Sequence, residues 1–205
     1  MRLASRLALV AAFLVFAAPA IAQDPWSVFV GAGAAGFGGA SQVTTPPLLG
    51  EATQYKPAPT TRLHLGVARS FGKGGIAFDA AYAKAGLGAY TESAHVAFSP
   101  ALTLYDLRLL GSYAIAAIGQ GSLKVGIGPM LQLWSGEAIT NTQTRLGAAA
   151  SVALSAPVSR RFGVLVAASM GVAASPFDQQ TLDDNGLEAA TAWTRELGVA
   201  LQFRL

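Results

Sequence analysis

TRLHLGVARSFG, residues 61–72, alternates. Leu63, Leu65 and Val67 share one parity; Arg62, His64, Gly66 and Ala68 share the other. Side chains of an extended strand point to opposite faces in turn. This segment therefore has one oily face and one small or polar face, with none of the three-to-four-residue recurrence of a helix.

The same pattern returns along the chain. Ile76, Phe78, Ala80 and Tyr82 oppose Ala77, Asp79, Ala81 and Ala83; Tyr105, Leu107, Leu109 and Tyr113 oppose Asp106, Arg108 and Ser112. Leu123, Val125, Ile127, Leu131 and Leu133 oppose Lys124, Gly126, Gly128 and Gln132. Leu146, Val152 and Leu154 oppose Arg145, Gly147, Ser151 and Ser155; Phe162, Val164, Val166, Met170 and Val172 oppose Gly163, Ser169 and Gly171. The last segment sets Leu197, Val199, Leu201, Phe203 and Leu205 against Glu196, Gly198, Gln202 and Arg204. With the run that starts at Trp26, the pattern predicts eight strands. Each has about ten residues, the length a tilted strand needs to cross a bilayer.

The connections alternate between long and short. Residues 37–59, 85–100 and 175–192 make long loops, and 135–144 one of middle length; 70–75, 117–122 and 156–161 are tight. That order predicts an up-and-down meander with one ornate end and one plain end. Both termini lie at the plain end, the layout of a membrane barrel with short periplasmic turns and longer external loops.

Bulk composition agrees. Of 205 residues, 52% are hydrophobic and only 12% charged, against about 25% charged in an average soluble protein; mean hydropathy is +0.44. The one long apolar run, Leu7 to Ile21, stands behind Arg2 and Arg6 and ends at Ala20-Ile21-Ala22. A basic start, an apolar middle and a small-residue exit predict a cleaved signal peptide, residues 1–22, and a mature chain from Gln23. The mature chain keeps 12 basic and 11 acidic residues, so the pI does not argue for nucleic acid. Cysteine is absent, so an exported fold must hold without disulfides.

Charge decides which face is which. Arg62, Asp79, Asp106, Arg108, Lys124, Arg145 and Glu196 all fall on the parity opposite the oily one. A basic residue on the lipid face at the midplane costs about 2–4 kcal/mol. The polar parity is therefore expected inside, as a lumen charge network, with the oily parity against lipid. Arg69, Lys84 and Arg195 break the rule; Arg69 and Lys84 sit at strand ends, where they can snorkel, and Arg195 is expected at the outer rim. The polar parity also holds Gly31, Gly33, Gly66, Gly126 and Gly128. Small residues suit an eight-stranded barrel, whose interior is barely wide enough for side chains.

Gly31, Gly33 and Gly36 spell G-x-G-x-x-G after an apolar run, as a dinucleotide fingerprint would. The context fails: a helix should follow to aim its N-terminus at pyrophosphate, yet the chain continues through further glycines and Pro46-Pro47. Gly31 and Gly33 are read as inward positions of the first strand.

These features resemble the small outer-membrane β-barrels of Gram-negative bacteria, the group of the OmpA transmembrane domain and OmpX, over Gln23 to Leu205. The end of the chain, ELGVALQFRL, carries a local likeness to the last-strand pattern that the barrel-assembly machinery reads. Glu196, Gly198, Leu201 and Phe203 match it, and Leu205 stands where many members have Phe. The resemblance implies an all-β, eight-stranded antiparallel up-and-down transmembrane barrel in the outer membrane. Its surroundings would be lipid and lipopolysaccharide, and the assembly machinery its partner.

Some barrels of this size modify lipid A with His and Ser near the outer rim. Here His95 and Ser99, with Glu92 nearby, lie in one long loop without the H-x-S spacing, and read as ordinary polar loop residues. His64 reads as a hydrogen-bonded filler of the lumen. Asp183 to Gly186, DDNG, lacks the other ligands of a calcium loop and reads as a turn. No cofactor or metal is expected. The reading is a non-enzymatic barrel with a mostly filled lumen, serving envelope structure, surface interaction or minor passage of small solutes; the ligand of its loops is not legible. A lipid A-modifying barrel enzyme and a soluble lipocalin-like periplasmic carrier are the alternatives, and the carrier would wear its charges outside.

Overall fold

The computed structural model describes residues 26–43, 54–90, 95–136, 139, 141–184 and 186–205, with only the backbone described for 43, 95–101, 181 and 184. The expected signal peptide lies outside these residues. In chain order the elements are β1 (Trp26–Gly38), β2 (Ser41–Val43), β3 (Gln54–Pro57), β4 (Thr60–Phe71), β5 (Gly74–Tyr90) and β6 (His95–Ile118). They continue with β7 (Gly121–Gly136), β8 (Gln143–Pro157), β9 (Phe162–Ala173), α1 (Gln179–Asp184), β10 (Leu187–Ala189) and β11 (Ala192–Arg204).

Eight long strands close a ring in the order β4-β1-β11-β9-β8-β7-β6-β5, and β5 pairs with β4 to complete it. Every pairing is antiparallel. The first and last long strands meet, with Ser27 opposite Arg204 and Gly38 opposite Trp193. A closed ring leaves no strand edge unpaired, the condition for a sheet to cross hydrocarbon.

The faces divide as the alternation predicts. Leu63, Leu65, Ile127 and Leu146 lie exposed on the outside, Ile127 at 71% and Leu146 at 78%. Arg62 and Asp106 are inside with none of their surface exposed. In water this would be an inverted protein; against acyl chains it is the favourable arrangement. Aromatic rings mark both rims. Phe162 and Phe203 meet at a tilt at the plain end with centroids 5.2 Å apart, and Tyr82 and Tyr105 likewise at the ornate end, 5.3 Å apart. The outward cations Arg69 and Arg195 lie over Trp26 and Trp193, 5.4 and 5.1 Å from the ring centroids. Each is thus held at the aromatic rim.

The ornate end is more ordered than its composition predicts. Residues 85–100, expected as a loop, largely continue the β5–β6 hairpin: Leu87 pairs with Phe98 and Tyr90 with His95, beyond a bulge at Gly86/Leu87. Extended pairing satisfies backbone groups that a loop would leave to water, and Tyr90, Val96 and Phe98 favour strands. β3 adds to the same extension through Gln54–Tyr90 and Pro57–Leu87. β2 pairs with β10, tying the loop after β1 to the loop before β11. Ala40, Phe177, Leu182, Leu187 and Ala192 form a small apolar core beneath this tie, packed by Tyr55 and Leu87.

Candidate functional site

The lumen charges come from three neighbouring strands on one side of the ring and one further round. Arg62 and His64 belong to β4, Asp79 to β5, Asp106 and Arg108 to β6, and Glu196 to β11. Spacing by two puts Arg62 beside His64 and Asp106 beside Arg108 on the inner face. Register brings Asp79 opposite Arg108, so the groups stand at one height.

They form a continuous ion cluster. Arg62 donates through Nη2 to Asp106 Oδ2, and its Nη1 lies 3.3 Å from Glu196 Oε2 as an ion pair without hydrogen-bond alignment. Arg108 donates to the same Asp106 carboxylate, from Nη2 at 3.0 Å and Nε at 3.3 Å, and from Nη1 to Ser169 Oγ at 3.0 Å. Its Nη2 is also 3.6 Å from Glu196. His64 bridges two carboxylates: Nδ1 is 3.1 Å from Asp79 Oδ2, and Nε2 meets Glu196 Oε1. A ring between two carboxylates satisfies both only when both nitrogens donate. Two guanidinium groups and such a ring would balance the charges of Asp79, Asp106 and Glu196.

Two glycines make room. A Cβ at Gly33 would overlap the Glu196 carboxylate, and one at Gly66 would overlap the Phe29 ring. Gly33 is the second glycine of G-x-G-x-x-G, so that motif opens space for the ion cluster.

Lys124 and Arg145 stand apart from the cluster, unlike the single network that parity alone proposes. Lys124 lies toward the plain end, with Nζ 3.4 Å from Ser70 Oγ. Arg145 lies near the opposite rim, where Nε donates to the Ser175 carbonyl at 2.5 Å and Nη2 to the Phe177 carbonyl at 3.2 Å. Its work is to hold the loop before α1. Parity gives the face but not the height, and these two residues differ from the cluster in height. His64 is hydrogen-bonded in the lumen, as its parity with Arg62 suggests; that it joins two carboxylates depends on strand pairing that parity does not record.

Above the cluster the lumen is apolar. Phe37, Leu102, Leu104 and Trp134 pack with Ala35, Ala83, Ala85 and Ile139, and Phe37 meets Trp134 edge-on at 5.7 Å. Met130 and Gln132 are also buried there, with Trp134 Nε1 donating to Gln132 Oε1 at 3.1 Å. Below the cluster lies a cavity of about 160 Å³, whose walls include Ala68, Leu110, Ser112, Lys124, Ser151 and Ala167.

The other candidates fall elsewhere. Glu92 lies outside the described residues. His95 and Ser99 lie in β6, Ser99 within the bulge, where residues 99 and 100 have no partner across β5. Gly186 N donates to the Asp183 carbonyl at 3.1 Å, a turn at the end of α1. In the last strand Glu196 belongs to the cluster, Gly198 crosses Gly33, Phe203 meets the Phe162 ring at a tilt, and Leu201, like Leu205 just beyond the strand, is exposed.

No family model matches the chain, and no curated protein matches it in sequence. Solved structures do. Neisserial surface protein A superposes with a TM-score of 0.58 and 14% identity, over 88% of this chain and 97% of that one. Outer membrane protein OprG from Pseudomonas aeruginosa gives 0.56 and 11%, over 89% and 95%. Outer membrane protein AlkL, solved by solid-state NMR in DMPC bilayers, gives 0.56 and 11%, over 92% and 93%. At such identity the common property is architecture: the chain has the fold of the small eight-stranded outer-membrane β-barrels, an all-β, antiparallel, up-and-down transmembrane barrel.

Proposed function

We propose that the chain is a non-enzymatic outer-membrane barrel with a shut lumen, which holds a folded loop cap at the cell surface. Residues 1–22 would be its cleaved leader. The last-strand pattern of Glu196, Gly198, Leu201, Phe203 and Leu205 would be its signal to the assembly machinery, and lipid with lipopolysaccharide its surroundings. The likeness to outer-membrane proteins of known structure supports the location.

One observation carries the shut lumen: Arg62, Asp106, Leu104, Gln132, Met130 and Trp134 together leave almost no exposed surface across the bore. Ions meeting this layer would have to displace paired charges and a packed indole. The cap supports the surface role, because β2–β10 pairing and the Arg145 bonds fix loops that a mere strand connection would not need. Against lipid A chemistry, His95 and Ser99 are four residues apart along extended backbone that rises roughly 3.3 Å per residue, far for a nucleophile and its base.

Planar-bilayer recording tests the proposal. The purified protein is expected to give no steady unitary conductance. A steady conductance that changes in Arg108→Ala would overturn the shut lumen. Lipid A that differs in acyl chains between cells with and without the protein would overturn the non-enzymatic reading.

A further inference from the structure

The lumen is not filled evenly. Above the ion cluster Leu102, Leu104, Met130, Gln132 and Trp134 point inward and are buried. Below the cluster Ser112, Lys124, Ser151 and Ser169 also point inward, yet each keeps part of its surface exposed. The cavity there is about 160 Å³, whereas one water needs roughly 10–15 Å³ by the same measure. It has room for a small organic molecule. Its roof is the ion cluster, so it is blind at the ornate end, and its walls run down to Ser70, Lys124 and Gln202 near the plain end.

Lys124 differs from the basic groups of the ion cluster. Arg62, Arg108 and His64 each face a carboxylate. Among the described residues no carboxylate lies within ion-pair distance of Lys124. Its hydrogen-bond partner is the Ser70 hydroxyl, and the charged side chain that acts on it is a second cation, Arg204. A half-buried ammonium facing a mostly apolar cavity needs a counter-charge. Hydroxyls of Ser70, Ser112 and Ser151 stand ready to donate, while Phe29, Leu110 and Ala153 offer apolar contact.

We propose that the plain-end half of the lumen is a binding pocket for a small organic carboxylate, held by Lys124 and neighbouring serines with its hydrocarbon part against Leu110 and Phe29. The carboxylate supplies the missing counter-charge, and the short apolar stem occupies the walls that water wets poorly. Size limits the ligand to a short chain. The two roof carboxylates, Asp79 and Glu196, are already paired with His64 and Arg62, and they disfavour an anionic group pushed to the top. The head group therefore stays at Lys124, near the open end. This pocket is independent of conductance, because a blind site binds whether or not the layer above ever opens.

The test uses the mature chain in lipid nanodiscs, with sodium butyrate as probe and amide NMR shifts of Ser112, Gly126 and Ser151 as readout. Butyrate is expected to give saturable shifts, butylammonium none, and inorganic phosphate a response at least several-fold weaker. Lys124→Met is expected to raise the butyrate dissociation constant at least tenfold, while Lys124→Arg keeps binding and shows that the pocket is intact. Equal response to butylammonium, no saturation with butyrate, or unchanged affinity in Lys124→Met would each overturn the proposal. Phosphate binding as tight as butyrate would overturn its organic part.

Discussion

Asp106 accepts more hydrogen bonds than either other carboxylate of the cluster. Its carboxylate receives Arg62 and both Nε and Nη2 of Arg108, and all three side chains are buried. Forming such a cluster is a near balance of Coulomb attraction against desolvation, but removing one partner leaves charge buried without compensation, at about 3–5 kcal/mol. Asp106→Ala is therefore expected to lower stability by about that amount in equilibrium urea unfolding from lipid vesicles. Ser169→Ala, which removes one bond from Arg108, should cost clearly less, about 1.5–3 kcal/mol. If the two variants unfold together, Asp106 is not the hub. Gly33 belongs to the same argument from the opposite side. A larger residue there must displace Glu196 and with it contacts to Arg62 and His64, so Gly33→Leu is expected to cost about 1–3 kcal/mol by overpacking. The same substitution at Gly36, whose added Cβ would meet only the Arg195 side chain at 3.6 Å, should be tolerated.

At the scale of the strand, one parity faces acyl chains and the other does not, and this contrast is measurable within β4. Leu65 and Ala68 are three residues apart on opposite faces. Leu65→Arg is expected to lose about 2–4 kcal/mol for a cation at mid-depth in lipid, read by the urea midpoint in vesicles; Leu65→Ala should lose less. A cost for Leu65→Arg no larger than for Leu65→Ala would remove the basis for calling that face lipidic. Strand number, facing and the plain-end turns were legible because they rest on a period of two, which local sequence records in full. Three things were not. Leu102 and Leu104 share parity with Asp106, yet an oily residue in a membrane strand reads as outward until its height is known. The height of Lys124 and Arg145 depends on strand stagger, which alternation does not encode. The β2–β10 pairing joins residues distant in the chain, through strands of three residues each with too short a pattern to detect. Arg145 shows what that missing tier does. Arg145→Ala frees the Ser175 and Phe177 carbonyls, so limited proteolysis between β9 and β11 should quicken several-fold while the unfolding free energy of the barrel in urea stays within about 0.5 kcal/mol. Unchanged proteolysis would mean that β2–β10 pairing and the small apolar core hold the loop unaided.

Over the whole molecule these pieces stack along the barrel axis: a loop cap, an apolar plug, an ion cluster and a blind cavity. Each layer follows from a different demand. The cap hides apolar loop residues from water, the plug fills a bore too narrow for solvent, and the cluster gathers charges that lipid rejects. The cavity remains where glycine, alanine and serine leave the wall thin. This order gives an accessibility gradient that can be read directly, because the chain has no cysteine to interfere. Single cysteines at Ser112, Ser151, Gln132 and Leu104 report one position each. A small, charged, water-soluble thiol reagent added to the folded protein in nanodiscs should modify Ser112→Cys and Ser151→Cys within minutes. Gln132→Cys and Leu104→Cys should react at least a hundredfold more slowly, at the rate of unfolding, and become equal to the others in denaturant. Serine and leucine tolerate the exchange differently, so each variant's unfolding free energy in urea must first match the parent within about 1 kcal/mol. Rapid modification of Gln132→Cys in the folded state would mean that water crosses the plug, and the barrel would then be a narrow channel with a constriction rather than a shut anchor.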